Sequence, residues 1–182
     1  MSRTPTYREI LYEIALDNYG YITPGDAADA GIPKGELPKL ARQRNGELKN
    51  ISYGLYRFEQ IPASPLGYLA EAVKRVDKGA YLHGESVLEL HQLADVNPRF
   101  IKVASPRQNR KSLPRHIKVS LAKTGVRTTL YEGIPCQFVA DAILECKGKI
   151  EGSRLVQAAL ESRQQGLINT KDWNRVQKGL SL

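Results

Sequence analysis

Residues 20–58 read GYITPGDAADAGIPKGELPKLARQRNGELKNISYGLYRF. Thr23, Pro24 and Asp26 open a helix there. The hydroxyl caps free N–H groups, the ring is preset for the first helical position, and the carboxylate sits at the positive end of the dipole. Ala27, Ala28 and Ala30 make this helix slim enough for close packing, and Gly31 stops it. Ile32-Pro33 turns the chain into a second helix that reaches to about Arg44. Pro38 fits only in a first turn, which places the start at Glu36 or Leu37. Leu37, Leu40 and Ala41 then face inward, and Lys34, Lys39, Arg42, Gln43 and Arg44 face out. Asn45-Gly46 is a turn signal. Leu48 with Ile51, and Leu55 with Phe58, suit two short strands joined at Ser52-Tyr53-Gly54. Upstream, Tyr7, Ile10, Leu11, Ile14 and Ala15 form the apolar stripe of a helix that ends near Gly20.

This order of helix, slim helix, turn, basic helix and hairpin is that of a winged helix-turn-helix, which lays one helix in the major groove of DNA. Arg, Lys, Gln and Asn suit base edges; Lys and Arg suit phosphates as charges, and Ser, Asn and Tyr suit them as donors. The expected contacts to double-stranded DNA are therefore Lys34, Lys39, Arg42, Gln43 and Arg44 from the helix. Lys49, Asn50, Ser52 and Tyr53 join them near the hairpin tip. Glu9, Glu13 and Asp17 on the first helix can point away from the duplex.

A chain of 182 residues allows one large domain or two small ones. Pro62-Ala63-Ser64-Pro65 reads as a linker, giving a winged domain over residues 1–60 and a C-terminal domain over residues 66–182. The net charge is +8. Residues 1–60 are neutral, with eight Lys/Arg against eight Asp/Glu, so the excess lies in residues 61–182, with nineteen against eleven. Nine basic residues fall between Arg99 and Arg127, and no acid occurs from Val96 to Tyr131. Arg99, Lys102, Arg107, Arg110, Lys111, Arg115 and Lys118 form a possible second basic surface. It is either a solvated face or a surface for nucleic acid or an acidic protein.

No run approaches the roughly 20 apolar residues of a membrane span, and MSRTPTYREI has no secretory h-region. Cys136 and Cys146, ten apart, match neither a disulfide framework nor a metal spacing. They suit buried packing in a reducing cytoplasm.

Beyond the linker, Leu69, Ala72, Val73 and Val76 form one helix face. Tyr81-Leu82 suggests a short strand and Ser86–Leu93 a helix. Ile101 and Val103 alternate with Lys102, and Ile117, Val119 and Leu121 with Lys118 and Ser120, as half-exposed strands with basic outer faces. Arg127–Tyr131 suggests a third strand. Helices are expected over Phe138–Cys146, Ser153–Gln164 and Thr170–Lys178. The stripe of the middle one is Leu155, Val156, Ala159 and Leu160. The class is α+β, a small sheet covered by helices.

Residues with catalytic chemistry are present without a pattern that selects them. His83 and His91 lack zinc-protease spacing. His91 is expected to be hydrogen-bonded and partly buried, and Glu85 and Glu89 to lie on a solvated helix face. Asp141, Glu145 and Lys147 form a D-x3-E-x-K string resembling metal-dependent nucleases, whose carboxylates hold Mg²⁺, but all three fall on one helix. No Walker loop, dinucleotide fingerprint or nucleophile elbow occurs, and no Ser-His-Asp spacing selects a triad. The expectation is a protein without catalytic residues, metal or cofactor. A nuclease guided by the winged domain is the alternative, and a module that contacts only protein a third reading. Trp173, with Val176 and Leu180, is expected to anchor the last helix.

Gly20-Tyr21-Ile22-Thr23, Ala30-Gly31-Ile32 and Leu48–Phe58 resemble the N-terminal domain of AbiEi-like antitoxins of the abortive-infection E system. Tyr81–Pro98 (YLHGESVLELHQLADVNP) resembles the start of that family's C-terminal domain, and Gly133-Ile134-Pro135 fits as a turn before a helix. The resemblance runs from about Tyr7 to Trp173; Pro38 in the groove helix departs from it. It implies a prokaryotic, cytoplasmic transcriptional autorepressor that binds repeats in its own promoter. It also implies a partner toxin similar to nucleotidyltransferases.

Overall fold

In this computed structural model, which describes residues 4–43 and 46–182, two capping boxes set the first helices. Thr6 and Glu9 cap α1 (Tyr7–Leu16), and Thr23 and Asp26 cap α2 (Pro24–Asp29), each pair exchanging side-chain and backbone hydrogen bonds. Between them lies β1 (Tyr21–Ile22). Gly31, at φ 73°, ends the turn after α2. The following α3 (Glu36–Ala41) has Pro38 in its first turn, as expected, but closes at Arg42 instead of running to Arg44. The hairpin is β2 (Leu48–Ser52) and β3 (Leu55–Phe58). Arg44 and Asn45 of the expected turn lie outside the described residues.

These strands form an antiparallel sheet of order β1-β3-β2. Leu11, Ala15, Ile22, Ala27, Ile32, Leu37, Leu48, Phe58 and Ile61 fill the core under it, and Tyr12 packs edge-on against Phe58 at 5.3 Å. This is a helix-turn-helix with a wing-like hairpin.

The chain divides into Met1–Lys78 and Gly79–Leu182, beyond the Pro62–Pro65 break expected from sequence. The cause is α4 (Gly67–Val76), which packs on β1. Its polar residues answer charges of the first unit: Tyr21 hydroxyl donates to Glu71 at 2.5 Å, and Lys74 Nζ lies 3.0 Å from Asp26. Just past the helix, Lys78 Nζ lies 2.8 Å from Asp29. Burial and the Glu71 hydrogen bond push the Tyr21 phenol up to about 12.

The second unit comprises β4 (Tyr81–Leu82), α5 (Glu85–Leu90), β5 (Ile101–Ser105), β6 (Ile117–Leu121), β7 (Thr128–Tyr131), β8 (Ile134–Gln137), α6 (Val139–Glu145), α7 (Gly152–Gln164) and α8 (Thr170–Leu180). Its mixed sheet has the order β6-β5-β4-β8-β7. β5 and β6 run parallel, as do β4 and β8; the other pairs are antiparallel. The class is α+β, as read from sequence. Gly133-Ile134-Pro135 is not simply a turn before a helix: Glu132 and Gly133, both at positive φ, make the hairpin turn, and β8 follows.

Side-chain burial departs from expectation on the last two helices and at Glu85. On α7 the buried residues are Leu155, Ala158, Ala159 and Ser162, and Leu160 is 47% exposed, so the stripe is rotated. On α8 Asp172 and Val176 are buried while Trp173 is half-buried, so Trp173 is not the main anchor. Glu85 is not solvated but pairs with Lys102 at 2.7 Å. Cys136 and Cys146 are free and buried, and burial pushes their thiols up to about 11 and about 12. They behave as packing residues. No helix among the described residues is long and apolar enough to cross a membrane.

Candidate nucleic-acid interface

Leu37 fixes how α3 is seated. It is 1% exposed, sunk into the core against the hairpin. Leu40, one turn on, is half-buried on the same side. The opposite side then carries Lys39 and Arg42, both exposed, with Lys34 exposed just before the helix and Gln43 just after. At six residues, α3 is roughly 9 Å long, enough to span only a few base pairs of a duplex.

The hairpin provides the second element. A register shift between Asn50 and Ser52 leaves Ile51 out of the ladder. Gly54, at φ 71°, closes the tip. Tyr53 is 89% exposed, Lys49 and Asn50 are exposed, and Ser52 is half-buried.

The cations differ in their ties. Among the described residues, Lys34 and Arg42 make no ion pair. Lys39 lies 3.4 Å from Glu36, and Lys49 lies 2.5 Å from Glu59. Both pairs are exposed, and such pairs contribute about 0–1 kcal/mol. A phosphate can therefore displace the carboxylate at small cost. Arg8 of α1 pairs with Glu47 beside a cleft of about 230 Å³ that also touches Leu40 and Gln43. The acids of α2 are neutralised from behind by Lys74 and Lys78.

The second basic stretch is not one uniform face. Lys102 is committed to Glu85, which corrects the expected basic outer face of that strand. Lys118 and Arg99 lie over the Phe100 ring at 4.8 and 5.2 Å. Arg107, Arg110, Lys111 and Arg115 are exposed on the loop between β5 and β6.

The nuclease-like string does not converge. Asp141 is held by Arg127 and Arg175 at 2.9 and 2.7 Å. Burial acts to raise its carboxyl, but the two guanidinium groups outweigh this and hold it below the usual range. Glu145 turns to His83, and Lys147 Nζ donates to the Gly179 carbonyl at 2.5 Å. No group of three His, Cys, Asp or Glu among the described residues is placed to hold a metal ion.

One arrangement escaped the sequence. His83 Nδ1 lies 2.8 Å from Glu145 Oε1, and His83 Nε2 lies 3.1 Å from Ser120 Oγ. The His83 hydrogen bond holds the Glu145 carboxyl down, to about 2, so Glu145 accepts and Nδ1–H donates, which leaves Nε2 facing Ser120. Gln137 fastens the carboxylate by donating to Oε2 at 3.3 Å, while its own Oε1 accepts the Gly84 N–H at 3.1 Å. Ser120, His83 and Glu145 thus follow one another in Ser-His-Glu order, and their contacts tie β6, the end of β4 and α6 together. His91 differs from expectation: it is 7% exposed, neither ring nitrogen has a hydrogen-bond partner among the described residues, and its ring lies 4.1 Å from that of Tyr131.

No protein-family model matches the chain, and no curated protein matches it. Among solved structures, the protein Rv2827c of Mycobacterium tuberculosis is similar, with a TM-score of 0.50 and 17% identity. The match covers 98% of this chain and 73% of that one. At that identity the likeness is one of fold.

Proposed function

We propose that the chain is a transcriptional repressor that binds double-stranded DNA through its first unit, α3 in the major groove and the hairpin tip on the backbone. On this reading it recognises repeats in its own promoter and is the AbiEi-like antitoxin of a nucleotidyltransferase-like toxin. It does so without catalysis or a cofactor. The observation that carries the DNA reading is the seating of α3. Leu37 anchors one side in the core, while Lys34, Lys39, Arg42 and Gln43 are exposed on the other, next to a hairpin tipped by Tyr53. The antitoxin reading rests on the sequence resemblance, and the fold likeness to Rv2827c is compatible with it.

A gel-shift titration of the promoter upstream of the gene tests the first part. Arg42→Ala and Gln43→Ala are expected to weaken specific binding by about 1–3 kcal/mol each. Unchanged binding after neutralising Lys34, Lys39 and Arg42 together overturns the groove-helix assignment. Co-expression with the adjacent toxin frame tests the second part: rescue of growth is expected, and its absence removes the antitoxin role.

A further inference from the structure

The sheet of the second unit ends at β6, whose outer edge pairs with no other strand among the described residues. The ladder to β5 decides which backbone groups face out. Ile101 N–H meets the His116 carbonyl at 2.8 Å, and Ala122 N–H meets the Ser105 carbonyl at 2.7 Å. With Ile101 opposite Ile117 and Ser105 opposite Leu121, Lys118 and Ser120 direct both backbone groups to β5. Val119 and Leu121 direct theirs outward. Among the described residues these outward N–H groups have no hydrogen-bond partner. A groove of about 560 Å³ runs along this edge between β6 and the β5–β6 loop, lined by Arg107, Leu113, Lys118, Val119 and Leu121 among others. Leu121 is 65% exposed. The surrounding sequence from Val96 to Tyr131 contains no acid.

We propose that the free edge of β6 takes up an extended acidic segment of a protein partner by strand addition. The unpaired amides supply the main-chain bonds of an added strand, Leu113 and Leu121 take alternate apolar side chains, and Arg107 and Lys118 take alternate carboxylates. A second copy is disfavoured, because β6 against β6 brings the cations of both copies to one seam. A nucleic acid would use the charge but leave the peptide groups unpaired. Strand addition here is independent of DNA binding by the first unit. It gives a chemistry for the partner in the antitoxin reading without depending on that partner's identity.

The test uses the full chain and a fluorescein-labelled ten-residue peptide alternating Glu and Val, read by anisotropy. Two further peptides are N-methylated, one on every Glu and one on every Val. The parent peptide is expected to bind. At least one methylated peptide should bind ten-fold more weakly or worse, and Arg107→Glu with Lys118→Glu should weaken the parent by a similar factor. Amide exchange at Val119 and Leu121 should slow at least ten-fold in the complex. The inference fails if the parent peptide does not bind, if both methylated peptides bind equally well, or if charge reversal changes nothing. It also fails if a random-sequence duplex gives the same protection at 119 and 121, or if the free chain self-associates with these amides already protected. None of these results depends on promoter binding or on the toxin.

Discussion

Nδ1 of His83 donates to Oε1 of Glu145 across 2.8 Å, tying the end of β4 to the last turn of α6. Glu145 is held down to about 2, first by this hydrogen bond. A carboxyl lowered by folding stabilises above its unfolded value and loses that contribution as pH falls. From a starting value of 4.5, up to about 3 kcal/mol disappears between roughly pH 4.5 and 2. Glu145→Gln should flatten urea midpoints across that window and cost about 1–3 kcal/mol at pH 7.

His91 should act in a different window. Burial pushes its imidazole down from 6.5 to about 4, so the unfolded chain takes up a proton that the folded chain refuses. Stability should fall as pH drops from about 6.5 to about 4 and then level off, by roughly 3 kcal/mol at most. In His91→Phe that slope should vanish while the lower Glu145 window stays. A His91→Phe protein with an unchanged slope between pH 4 and 6.5 would show that other groups carry it.

Asp172 closes a four-membered box. It is 3% exposed and accepts from both Arg127 and Arg175 at 2.8 Å, while Asp141 meets the same two arginines. The box joins the start of β7 to α6 and α8. Because the arginines are over 40% exposed, solvent discounts the pairing, and Asp172→Ala should cost about 1–3 kcal/mol. Measured against Arg127→Ala in a double-mutant cycle, the coupling should exceed about 0.5 kcal/mol; additive losses would refute it.

Gly84 has φ 56° and ψ −130°, and a Cβ there would stand 3.3 Å from Glu145 Oε1. Gly84→Ala should therefore cost about 1–3 kcal/mol from the backbone alone and loosen the His83–Glu145 bond. Chemical denaturation reads the first effect. A weakened acid-side slope below pH 4.5 reads the second.

For DNA, removing one phosphate-binding cation should shallow the log–log salt dependence by about one unit. Lys49→Ala should do this without altering sequence preference, whereas Gln43→Ala should relax preference at one base pair. If Lys49→Ala instead changes preference, the hairpin reads bases rather than the backbone.

Local signals carried the first unit: Thr23-Pro24 with Asp26, the Gly31 stop and the Gly54 tip each act within a few residues, and the structure places the elements where they fall. Long-range pairing was not legible. His83, Ser120 and Glu145 meet only because the sheet order sets β4 two strands from β6 and places α6 nearby, and no spacing encodes that. β8 hid behind Pro135, a residue that reads as turn. The stripe of α7 misled because small side chains, Ala158 and Ser162, outcompete Leu160 where helices approach closely. The attachment of α4 was invisible for a similar reason. Lys74 and Lys78 look like ordinary surface charge until Asp26 and Asp29 are set opposite them.

That attachment decides what is portable. A fragment cut at residue 60 would leave Asp26 and Asp29 without counter-charge and Tyr21 without the carboxylate it bonds. Grafting of the first unit onto another body should succeed only with the fourth helix carried along, through Lys78. Any relative that has exchanged this first unit is expected to have recombined at that later seam, with the proline-rich stretch inherited as an interior loop.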